Sequence, residues 1–235
     1  EYAILSSIFA FSRAVAGWAG GLGVGVSAPG RAGAVAAPVW AEPVKITFLG
    51  VGDIYDYDGD GSRGGFARLN AVARAERAAN PNTLYLFDGD MLSPSLLSGF
   101  DQGQNTIDLT GLVPFDLAVP GNHEFDFGPA NFFEKMKASN YPWAAINITN
   151  ADGSAIDGLG GVMVKEVAGV KIALIPVAQG TSPEVADTGD LVFGPTVDMG
   201  VAAARKAPAM SGQDLAKDNT RTKIDINLKK SPYSM

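Results

Sequence analysis

Val44 to Val51, "VKITFLGV", is an almost unbroken apolar run, the pattern of a strand covered on both faces. The polar stretch Gly52 to Gly65, "GDIYDYDGDGSRGG", follows it and reads as a loop. From Phe66 to Ala79 the period changes to that of a helix. Phe66, Leu69, Val72 and Ala73 share one stripe, with Arg68 and Arg74 off it. "ANPN" stops that helix. Thr83 to Phe87 is a second strand, ending in "DGD", and a short helix is expected over Thr106 to Leu112. Phe115 to Val119 is a third strand, ending in "PGNHEFDFG". A helix over Ala130 to Ala138 and a strand over Trp143 to Ile146 come next. Val162 to Val167 and Val170 to Val177 form a hairpin turning at Ala168 and Gly169, and Pro195 to Ala207 starts another helix. The order β-α-β-α-β-α-β, then β-β, predicts an α/β fold with a largely parallel sheet covered by helices.

The flanks break this pattern. Residues 1–41 carry Arg13, then a Gly/Ala/Val-rich apolar stretch, then Val39-Trp40-Ala41, which has the small-residue spacing of a signal-peptidase site. Glycines interrupt the apolar run, and it is shorter than the roughly 20 residues of a spanning helix. Cleavage after Ala41 and no stable membrane anchor are the expectation, with a periplasmic or secreted mature chain. Residues 208–235 show no strand or amphipathic helix and read as a solvated, disordered tail. The expected organisation is a leader or extension over 1–41, one α/β domain over 42–207, and the tail.

Composition narrows the chemistry. With 46% apolar and 18% charged residues the chain is of globular type. A net charge of −7 argues against a nucleic-acid surface. The absence of cysteine excludes disulfides and thiolate metal sites, and there is a single histidine, His123.

Three polar motifs fall just past the C-terminal ends of expected strands, where open α/β sheets bind ligands. The first holds four aspartates between Asp53 and Asp60. Asp56, Asp58, Asp60 and Gly61 match positions 1, 3, 5 and 6 of a calcium loop, but Ala67 stands where the bidentate Glu belongs. A polar surface turn explains the same residues. Asp53, at the strand end itself, is placed to point into a cleft. The second motif puts Asp90 past a buried strand, and the third does so for Asn122, His123 and Asp126.

Together, strand-Asp, strand-Gly-Asp and strand-Gly-Asn-His resembles the calcineurin-like metallophosphoesterases. "PGNHEFDFG", "GDMLSPS" and "GGFARL" look like the 5′-nucleotidase and 2′,3′-cyclic phosphodiesterase branch, over about Val44 to Arg205. The resemblance implies a layered sandwich of helices on a mixed β-sheet. It also implies two divalent metals (Mn, Zn, Mg, Fe or Ca) and a small phosphate ester, most readily a nucleotide, as substrate. By motif position Asp90 matches the bridging carboxylate, Asp53 a ligand of one metal and Asn122 the amide ligand of the other. His123 matches the histidine that protonates the leaving oxygen, and Asp126 its carboxylate partner.

The sequence departs from that family twice. Where the first motif should read Asp-x-His it reads Asp53-Ile54-Tyr55, so Tyr55 is either a phenolate ligand or a packing residue. The family's later histidines, including a Gly-His-x-His segment, have no counterpart after His123. The chain therefore reads as the N-terminal part of such a domain, C-terminally truncated onto an unrelated end. The expectation is an impaired phosphoesterase, or an inactive remnant that at most binds metal or nucleotide.

Overall fold

The structure, a computed structural model, describes residues 44–59, 64–206 and 224–230. The leader reading of residues 1–41 lies outside these, as do Asp60 and Gly61 of the calcium-loop reading.

Strand β1 (Val44–Val51) and strand β2 (Thr83–Phe87) run parallel, joined by helix α1 (Phe66–Ala79). Gly65 opens the helix with a φ of 80°, and a Cβ there would lie 2.6 Å from the Asp58 carbonyl oxygen. Only glycine meets both demands. Phe66, Leu69 and Ala73 bury the expected stripe. At the far end the Asn80 side chain donates to the Lys45 carbonyl and to Thr47 Oγ1, tying the "ANPN" stop to β1.

Past β2 come one helical turn, α2 (Ser98–Asp101), helix α3 (Gln104–Gly111) and strand β3 (Leu117–Ala118). Helix α3 starts two residues before its apolar stripe. The Asp101 carboxylate accepts from the amides of Gly103 and Asn105 and caps it. Strand β3 is shorter than its apolar run, yet the Asp116 and Val119 amides still donate to the Tyr85 and Phe87 carbonyls on either side. Helix α4 (Gly128–Ala138) has Pro129 in its first turn and leads to strand β4 (Trp143–Ala144). Ile146 then bonds to Pro176 rather than along the sheet, which cuts the expected strand short.

Strands β5 (Ile148–Thr149) and β6 (Leu159–Gly160) precede the hairpin of β7 (Met163–Val167) and β8 (Val170–Leu174). Strand β9 (Val192–Phe193) pairs antiparallel with β5, and helix α5 (Thr196–Lys206) follows. Strand β10 (Ile224–Lys230) corrects the expectation of a strandless tail: it runs parallel to β1, with Val44 opposite Ile224. Its sequence alternates Ile224, Ile226 and Leu228 with Asp225, Asn227 and Lys229, a period of two that the surrounding charge masks.

The main sheet has the order β10-β1-β2-β3-β4-β6, and every pair in it is parallel. The antiparallel pairs sit in two small separate sheets. On one face Leu49, Val51, Tyr85, Phe87 and Trp143 meet Phe66, Leu69, Ile107 and Phe132 of the helices. On the other, Ile46, Leu84, Leu117 and Ala144 meet Ile172 and Leu174 of the hairpin. The sheet is thus the middle of three layers, and its strands bury side chains alternately to both sides. Among the described residues no helix is long and apolar enough to cross a membrane.

Candidate active site

The C-terminal ends of β1, β2 and β3 are neighbours in the sheet, and the parallel ladder continues past them. The Asp53 amide donates to the Gly89 carbonyl and the Ile54 amide to the Asp90 carbonyl, so the two motifs run side by side. Asp53 and Asp90 both have left-handed backbones, with φ of 54° and 71°. For a non-glycine residue that conformation costs on the order of 1–3 kcal/mol. The close approach depends on glycine. A Cβ on Gly121 would collide with Asp90 Oδ1, and one on Gly89 would lie 2.8 Å from the Gly121 Cα.

Past β3 the chain makes a single 3-10 turn, His123–Phe125. It brings three of the expected residues together. The His123 amide donates to Asp90 Oδ1 at 2.9 Å. His123 Nδ1 lies 2.7 Å from Asp126 Oδ2; a carboxylate can only accept, so Nδ1 carries the proton and Nε2 is the ring nitrogen left for other partners. The Tyr55 ring stands edge-on to the His123 ring, centroids 6.2 Å apart. Asn122 begins the turn, and its side chain makes no capping bond there.

Glu124 has no place in the expected site, and the structure gives it a central one. It is fully buried. Its Oε2 accepts from the amides of Asp90 and Gly121, and its Oε1 from those of Met91 and Leu92. One carboxylate thus clamps the loops after β2 and β3 together. Ser93 is the other unforeseen member: its hydroxyl donates to Asp126 Oδ2 at 2.7 Å. Both residues stand inside the quoted motifs, but only the burial of Glu124 and the cross-loop approach of Ser93 reveal what they touch.

The electrostatics follow from crowding acids in a half-buried cleft. Burial raises the Asp53 carboxyl, the Asp90 charge raises it further, and His123 opposes both. Asp90 is raised by burial against the hydrogen bond from the His123 amide. Burial with the Asp90 charge lifts Glu124 to about 7, while the amide donors pull the other way. For His123, burial works downward, but the Asp126 hydrogen bond and the charges of Asp90, Asp126 and Glu124 outweigh it and raise the imidazole. Tyr55 is raised by burial and by the charges of Asp53, Asp90 and Asp56.

A cation between Asp53 and Asp90 would relieve their mutual repulsion, and hard carboxylate and amide oxygens suit Mn²⁺, Mg²⁺ or Ca²⁺. The donors fit a cation at that pair. Among the described residues, however, no three His, Asp or Glu side chains converge into a ready cradle.

The model of the calcineurin-like phosphoesterase family matches residues 46–183, more than half of the chain. The chain belongs to the calcineurin-like phosphoesterases. Members of this family generally use a dinuclear divalent metal centre. The chain is 29% identical over 115 residues to the endonuclease YhcR of Bacillus subtilis, covering 43% of the chain and 9% of that protein. It is 27% identical over 131 residues to a snake venom 5′-nucleotidase of Gloydius brevicauda, covering 54% and 22%. A 5′-nucleotidase precursor of Thermus thermophilus shares its fold, with a TM-score of 0.61 at 19% identity, over 76% of the chain and 41% of that structure. The chain thus spans less than a quarter of either curated relative, and its likeness lies in the 5′-nucleotidase and cyclic phosphodiesterase branch.

Proposed function

We propose that this chain hydrolyses phosphate esters, with nucleotides as the substrate class, in a metal-dependent reaction whose turnover is weak. The observation that carries this reading is the meeting, on three adjacent strand ends, of the Asp53–Asp90 carboxylate pair with the His123–Asp126 pair. Asp53, Asp90 and Asn122 would hold the metal ions, with Tyr55 standing beside them against the His123 ring. Divalent ions at such a site polarise phosphoryl oxygens and lower the pKa of water.

The residues of the chain supply the rest. Asp126 holds the Nδ1 proton of His123 and keeps Nε2 available to the substrate. Against the effect of burial, the Asp126 hydrogen bond and the charges of Asp90, Asp126 and Glu124 favour the protonated imidazole. As water adds to phosphorus and the ester P–O bond breaks, Nε2 gives its proton to the departing oxygen, leaving inorganic phosphate and an alcohol. Glu124 passes no proton in this scheme; it fixes the loops that bear Asp90 and His123. The short donor set is why turnover is weak. The apolar leader supports export to the periplasm or medium, and the acidic net charge supports a small substrate rather than a nucleic acid.

The test is hydrolysis of p-nitrophenyl phosphate and AMP by residues 42–235 with added Mn²⁺, Zn²⁺ or Mg²⁺. Turnover that requires metal, vanishes in Asp90→Ala and falls at least about 100-fold in His123→Ala bears the proposal out. Turnover untouched by Asp90→Ala sinks it. A second reading, a metal- or nucleotide-binding module without turnover, draws on the missing three-ligand cradle. Folded protein that binds Mn²⁺ through Asp90 yet leaves both substrates intact would favour it.

A further inference from the structure

Ser93 and His123 share one carboxylate oxygen. The Ser93 hydroxyl donates to Asp126 Oδ2 at 2.7 Å, and His123 Nδ1 donates to the same atom at 2.7 Å. The two donors differ in how firmly they are held. Ser93 is only 5% exposed, and its neighbours Met91 and Leu92 have their amides bonded to buried Glu124. The His123 and Asp126 side chains are 33% and 25% exposed. A carboxylate this open, bonded to an imidazole alone, turns readily toward water. An imidazole without a fixed acceptor carries its proton on either nitrogen.

We propose that Ser93 is a positioning residue: its buried hydroxyl anchors Asp126 so that Nδ1–H of His123 stays turned to that carboxylate in both charge states and Nε2, which carries the transferable proton when the ring is charged, faces the substrate. This rests on the reading of His123 as the proton donor, but it concerns a property of the chain that exists without metal or substrate. The serine contributes no proton to the reaction. It supplies a fixed point, because a hydroxyl on a pinned backbone loses little freedom in holding an oxygen still.

His123 is the sole histidine, so the imidazole signals in a nitrogen NMR spectrum of the isotope-labelled full chain belong to one residue. The spectrum is taken without metal, in alkaline buffer where the ring is neutral. The wild-type chain should show one protonated ring nitrogen, Nδ1. Ser93→Ala should raise the ratio of the Nε2–H form to the Nδ1–H form by roughly fivefold to tenfold, and Ser93→Thr, which restores a hydroxyl, should return it. A Ser93→Ala spectrum identical to wild type, or a Ser93→Thr spectrum identical to Ser93→Ala, overturns the proposal. If thermal melting shows that Ser93→Ala does not fold, Ser93→Cys carries the same two outcomes, since a thiol of similar size is a weak donor. Hydrolysis does not enter this readout. A chain with no turnover but a Ser93-dependent tautomer keeps this inference and loses the preceding one, and the converse result reverses that.

Discussion

Glu124 is an acidic side chain with no access to water, and a ring of amides makes that tolerable. Each of the donors from Asp90, Met91, Leu92 and Gly121 would otherwise be a buried N–H without an acceptor, costing about 1–3 kcal/mol. Glu124→Gln turns one acceptor oxygen into a donor that faces N–H groups. It should lower stability by roughly 2–4 kcal/mol, read as a lower urea midpoint with an unchanged slope. A midpoint equal to wild type would mean that the loops find other acceptors and that the clamp is dispensable. At this scale the motifs at the strand ends, with the family resemblance they carry, singled out Asp53, Asp90, Asn122, His123 and Asp126, and the structure sets the Asp53 and Asp90 loops side by side and bonds His123 to both Asp90 and Asp126. Glu124 and Ser93 were not legible. Their importance lies in contacts between loops some 33 residues apart, which no local pattern encodes.

The hairpin of β7 and β8 shows what local chemistry does encode. Ala168 and Gly169, with φ of 50° and 78°, sit where a two-residue turn demands left-handed backbone at both positions. Alanine adopts that conformation only with strain, whereas asparagine adopts it readily. Ala168→Asn should therefore raise stability by roughly 0.5–1 kcal/mol, seen as a higher melting temperature. A drop would show that the turn geometry is set by packing beneath it. Helix α1 and strand β2 fall where their periodicity puts them, since each has several residues with which to express a period. Strands β5, β6 and β9 are two residues each, too short to show any period. Strand β10 has a period of two but lies in a charged stretch far from the polar motifs.

At the scale of the whole molecule, Tyr85 and Tyr141 are phenols of the described residues hidden in the core between sheet and helices. Tyr85 and Tyr141 are both raised above the ordinary tyrosine range, burial being the main cause. The Tyr85 hydroxyl has no hydrogen-bond partner among the described residues, while that of Tyr141 pairs with Thr110 at 2.7 Å. The unfolded chain releases these protons near pH 10 and the folded chain does so only higher. Stability contributed by the two neutral phenols is thus complete below about pH 10 and falls as pH rises beyond it. Urea midpoints measured across that range should hold and then drop, with phenolate absorbance from both residues appearing only on unfolding. Ionisation of all tyrosines before unfolding would contradict the buried placement.

The pairing of β1 with β10 joins Val44 to Ile224 across most of the sequence. Long-range parallel pairing is slow to form, because a large loop must close before any contact offsets its entropy. During synthesis the side of β1 that β10 covers is exposed long after β1, β2 and the helices between them have left the ribosome. That open edge is where a nascent chain of this protein is most exposed to mispairing and to capture by chaperones.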